Sequence, residues 1–61
     1  MELNELRAQK EALGLIDQKI CHKTGVHLGV VEAFFSGRSD ALTPRERRLL
    51  EELMTSEQKK R

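Results

Sequence analysis

Apolar residues recur along this chain at helical spacing, and helix formers dominate with few consecutive β-branched residues, so helices and not strands are expected. Leu6 and Leu13 stand one heptad apart with Ala12 beside them, which predicts a first helix from about Asn4, a candidate N-cap, to Leu13. Gly14 is placed to end it, and Leu15 and Ile16 are expected to pack beneath the next element. Asp17 is a candidate N-cap for a short helix to Thr24 in which Ile20, Cys21 and Thr24 share a face, and Gly25 closes that helix. Val26 and His27 form a turn. A third helix then runs from about Leu28 to Ser36, burying Val31 and Phe34, and Gly37 ends it.

After the turn-rich Gly37-Arg38-Ser39-Asp40, the run Thr43-Pro44-Arg45-Glu46 combines a hydroxyl cap, a proline where no N–H is needed and a capping-box glutamate. It predicts a last helix over 44–54 carrying Leu49, Leu50, Leu53 and Met54 inward. Residues 56–61 read as a polar, basic, frayed tail. The expectation is therefore an all-α domain of four helices, with room for a fifth, over residues 1–55. Its predicted core is Leu6, Leu13, Ile20, Cys21, Val31, Phe34, Leu49 and Leu53.

Composition narrows the function. Sixty-one residues suffice for one small core and leave no room for a separate catalytic domain. No run reaches the roughly 20 apolar residues of a membrane span, and the acidic start lacks the pattern of a signal peptide, so a cytoplasmic protein without membrane partners is expected. Cys21 is the single cysteine and cannot form an internal disulfide. The net charge is +1, divided as −1 over residues 1–37 and +2 over residues 38–61, so attraction to phosphate would be local.

Cys21, His22 and His27 do not make a metal site: helix neighbours point about 100° apart, and a fourth ligand is missing. The same residues lack the third, orienting group of a nucleophilic centre. Neither catalysis nor a cofactor is expected.

The informative constellation is Asp17 to Gly25 followed by Val30 to Arg38. Two short helices crossing steeply need an apolar residue at Ile20, a small one at Cys21, a glycine free to take positive φ at Gly25, and docking residues at Val31 and Phe34. With four residues from Cys21 to Gly25 and six from Gly25 to Val31, the chain from Leu6 to Arg38 resembles the phage repressor and Cro family of helix-turn-helix proteins. That resemblance implies a transcriptional regulator whose third helix lies in the major groove of double-stranded DNA, working as a homodimer. Carried over by position, Gln18, Leu28, Gly29, Glu32 and Ala33 would face bases, and Lys10, Lys23, His27, Arg38, Arg45 and Arg48 would lie near phosphates.

Leu28, Gly29 and Ala33 depart from the polar side chains the family uses to read bases. Leu28 and Ala33 suit thymine methyls, Glu32 a cytosine amine, and Gly29 a close approach. Together with Phe35, expected at the surface, they also support a different expectation: a protein-interaction module, such as an antirepressor or accessory factor, that keeps the fold without base readout.

Overall fold

The computed structural model describes residues 2–60, and among them the chain forms four α-helices and no strand: α1 Leu3–Leu13, α2 Asp17–Thr24, α3 Leu28–Phe35 and α4 Pro44–Lys59. Met1 and Arg61 lie outside the described residues.

Local chemistry sets most of the boundaries. Gly25 follows α2 at φ 77°, a left-handed conformation costly for any residue with a Cβ, and its N–H returns to the Cys21 carbonyl at 2.9 Å. Gly14 ends α1 in the same way, and the next N–H, that of Leu15, bonds to Lys10 and turns Leu15 inward. Thr43 and Glu46 form a complete capping box at the start of α4, each side chain accepting from the other's backbone N–H, with Pro44 in the first turn.

Two expected caps are not caps. α1 begins one residue earlier than Asn4, with Glu2 at the N-cap and no side-chain bond; Asn4 Oδ1 instead accepts from Arg7 Nη1 at 3.2 Å. Asp17 is the first helical residue of α2 behind the N-cap Ile16, and its carboxylate pairs with Lys10 Nζ at 2.7 Å. In both cases the side chain is engaged by a cation one turn or one helix away.

The core comprises Leu6, Leu15, Ile20, Val26, Val31, Phe34, Leu50 and Met54. Leu13, Cys21, Leu49 and Leu53, expected at its centre, are only partly buried against it. The rotation of α4 explains the second pair: its buried stripe is Leu50 and Met54, four residues apart, and this turns Leu49 and Leu53 toward the flank. Ile16 has extended backbone and is 61% exposed, because neighbours on extended chain point to opposite sides and Leu15 takes the inward position. Val26, expected only to turn the chain, is buried, since its N–H bonds to Thr24 Oγ1 and the residue folds under the connection.

α4 does not stop at Met54 but continues through Glu57 to Lys59. Its last turn is tied at two points: Lys23 Nζ donates to Glu57 Oε1 at 2.8 Å, and Gln58 donates to Gln9 on α1. The segment expected as a frayed tail is therefore helical up to Lys59. α4 packs along α1 and α2, α2 packs on α3, and the radius of gyration is 10.3 Å, close to the roughly 10.5 Å of a compact chain this long. No helix of the structure is long and apolar enough to cross a membrane.

Candidate functional site

The three residues Gly25, Val26 and His27 join α2 to α3, and buried residues hold the pair from below: Ile20 from α2, Val26 from the connection, Val31 and Phe34 from α3. With that side of α3 committed to the core, the opposite side reaches the surface. Gly29 and Glu32 are exposed there, and Leu28 and Ala33 are half-buried beside them. Leu28 and Glu32, and likewise Gly29 and Ala33, are four residues apart, so these four positions form one surface strip. Gln18 is exposed in the first turn of α2. Phe35, expected at the surface, is half-buried: its ring meets Phe34 edge-on at 4.9 Å, and Lys10 Nζ lies 5.2 Å from its centre. Phe35 thus leaves the strip and belongs to the α1 side of the molecule.

His27 caps α3, its Nδ1 accepting the Gly29 N–H at 3.0 Å. This bond accounts for Gly29. A Cβ at that position would sit 3.2 Å from His27 Nδ1 and 3.4 Å from Cε1, so the capping ring would have to give by a few tenths of an ångström. The close approach that glycine permits here is to the chain's own histidine.

The candidate cations divide by what they touch. Arg45, exposed in the first turn of α4, lines a cleft with Gly25, Val26, His27, Thr43 and Glu46, so the starts of α3 and α4 open onto the same hollow. Two helix N-termini side by side bring the positive ends of two sets of peptide dipoles to one place. Arg38 is exposed just beyond α3, its Nε bonded to Ser36 Oγ at 3.0 Å. Arg48 is exposed on another side of α4, with Glu52, Thr55 and Lys59. Lys10 is occupied by Asp17 and Phe35, on the α1 side.

Lys23 is occupied by Glu57. Lys60 Nζ lies 3.6 Å from the same carboxylate, and the charge of Lys19 also reaches it. The hydrogen bond from Lys23 holds the Glu57 carboxyl below the usual carboxylate value, aided by the surrounding cations and opposed by partial burial. The same bond raises Lys23 above the ordinary lysine value. Of the six candidate phosphate contacts, then, His27, Arg38 and Arg45 border the α2–α3 connection or the end of α3, Lys10 and Arg48 lie on other sides, and Lys23, in the last turn of α2, is engaged by Glu57.

Arg7, which the sequence does not single out, ties α1 to the end of α3 and to the connection beyond it. It donates to Phe34 O, Ser39 O, Asp40 Oδ1 and Asn4 Oδ1 and lies over the Phe34 ring. Only its helical neighbour Asn4 is near it in sequence, so no local signal marks it. Among the described residues there is no group of three His, Cys, Asp or Glu side chains able to hold a metal ion.

No family model, no curated protein and no solved structure matches this chain.

Proposed function

We propose that this chain is a small DNA-binding regulator of the phage repressor type, in which α2 and α3 form a helix-turn-helix and α3 enters the major groove of duplex DNA. The observation that carries the reading is the division of α3 into a buried side, Val31 and Phe34, and a surface strip, Leu28, Gly29, Glu32 and Ala33, beside an N-terminus capped by His27. A helix about 10–12 Å across fits a groove about 12 Å wide, and α2 then crosses above it. His27, Arg45 and Arg38 flank the strip, where phosphates would run, and the starts of α3 and α4, which open onto the same hollow, add the positive ends of their dipoles to that rim.

Base readout in this arrangement is thin. α3 has no Arg, Lys, Asn or Gln to form paired hydrogen bonds with a base edge; Leu28 and Ala33 contact thymine methyls and Glu32 accepts from a cytosine amine. Affinity rests on phosphate contacts, and two copies would place their third helices about 34 Å apart. The protein acts by occupying DNA. Salt-titrated binding to duplex fragments tests it: one class of fragment should bind above the nonspecific background, and a uniform background across all of them removes the reading.

The strip's own chemistry favours a second reading. Two apolar side chains, a glycine and a single carboxylate suit a partner protein carrying apolar and basic groups. In that case a pull-down recovers one defined partner and Leu28→Glu abolishes the capture; capture unaffected by Leu28→Glu counts against it.

A further inference from the structure

Glu57 comes from the last turn of α4, yet its carboxylate faces cations of α2 and of the residue that caps α4: Lys23 at 2.8 Å and Lys60 at 3.6 Å, with Lys19 contributing through its charge. The Glu57 side chain is only 12% exposed, whereas that of Lys23 is 32% exposed. The Lys23 side chain is therefore partly open to water while its ammonium holds the more enclosed carboxylate. Lys23 belongs to the last turn of α2, the turn that Gly25 closes ahead of α3. A phosphate approaching α2 finds its positive charge there already balanced from inside the chain.

We propose that Glu57 is an intramolecular competitor for phosphate at Lys23, so that the last turn of α4 lowers the affinity of this protein for nucleic-acid backbone. The inference rests on the DNA-binding reading and adds a built-in restraint to it. Binding at Lys23 requires its ammonium to leave Glu57, and each phosphate newly neutralised by a cation releases condensed counterions, steepening the salt dependence by about 0.9 in slope. The carboxylate that stays behind remains stabilised by Lys60 and Lys19, so the exchange does not strand a lone buried charge.

The test uses the full chain and one nonspecific duplex, titrated from low to high salt. Glu57→Gln should bind about two- to fivefold more tightly at low salt, with a slope steeper by about one. Adding Lys23→Gln to it should return the slope to that of the unmodified chain. Lys23→Gln alone should leave that slope unchanged, because in the unmodified chain Lys23 is engaged by Glu57. Glu11→Gln, an exposed carboxylate on α1, supplies the same change in net charge, and the helical circular dichroism of each variant reports folding. Equal gains for Glu11→Gln and Glu57→Gln overturn the proposal, since only overall charge then matters. So does a slope that Lys23→Gln alone already reduces, which means that Lys23 meets phosphate without being released. If no variant and not the unmodified chain binds duplex DNA, the parent reading falls as well; binding by all with no effect at Glu57 removes the restraint alone.

Discussion

Arg7 donates its Nε–H to the carbonyl of Phe34 at 2.9 Å while its guanidinium carbon stands 4.4 Å from the centre of the same residue's ring. One side chain thus fixes both the backbone and the aromatic face at the end of α3. Its second arm reaches Ser39 O at 3.2 Å and Asp40 Oδ1 at 2.6 Å, which holds the α3–α4 connection against α1.

Replacing Arg7 should loosen that junction more than removing an ordinary surface charge. Arg7→Lys keeps the charge but loses the planar fork and most of the stacking, at a cost of about 1.5–3 kcal/mol in urea unfolding. A midpoint unchanged by Arg7→Lys would mean that the stack and fork contribute nothing.

His27→Ala removes the side-chain acceptor at the start of α3 and should lower stability by about 1 kcal/mol. His27→Asn, which can still accept from the Gly29 N–H, should recover most of it. Equal losses for the two substitutions, measured by thermal unfolding, would show that the cap is not what His27 supplies.

The two sides of α4 should respond unequally to truncation. Met54→Ala opens a cavity in the centre and should cost about 2–5 kcal/mol. Leu53→Ala should cost roughly half of that or less, because part of its surface already meets water. Parity between them would contradict the observed rotation of the helix.

The Lys23–Glu57 pair has a defined pH window. The Glu57 carboxyl titrates below its ordinary 4.5, so its contribution is present above 4.5 and disappears as pH falls through the lowered value. Lys23 titrates above its ordinary 10.5, so the same contact persists below 10.5 and disappears as pH rises through the raised value. The difference in melting temperature between the unmodified chain and Glu57→Gln should be fullest between those limits and vanish in acid. A difference that persists far into acid, where the Glu57 carboxyl is already protonated, would assign the effect of the substitution to packing.

If α3 reads thymine methyls through Leu28 and Ala33, replacing thymine by uracil across a bound site should weaken binding by about fourfold per contacted methyl. Indifference of the complex to uracil would leave Glu32 and the phosphate contacts as the whole basis of recognition.

How far the chain can be read from its sequence depends on the distance over which each feature is decided. Gly14, Gly25 and the Thr43 to Glu46 box act within four residues, so the helix ends they mark are legible. Asn4 and Asp17 have the residue type of caps, but each also has a nearby cation, and propensity cannot say whether backbone or cation wins. The inward side of α4 is ambiguous for a simpler reason. Leu49, Leu50, Leu53 and Met54 are all apolar, and which pair is buried is decided by the rotation imposed by α1 and α2. The last turn of α4, past Thr55, is tied to Lys23 and Gln9, which lie 34 and 49 residues from their partners, beyond any local pattern. At the candidate site the strip on α3 is legible as a set, whereas the role of Gly29 beside His27 and the engagement of Lys10 and Lys23 emerge only in three dimensions.

The eight-residue core takes members from every helix and from both short connections, and α2 and α3 are eight residues each. Helices of that length do not persist in water by themselves. The presentation of α3 is consequently a property of the whole chain, acquired and surrendered in a single cooperative transition. A probe on Leu28 and a probe on Met54 should report one shared melting curve, and the protein has no way to keep its surface strip in place while the rest of it unravels.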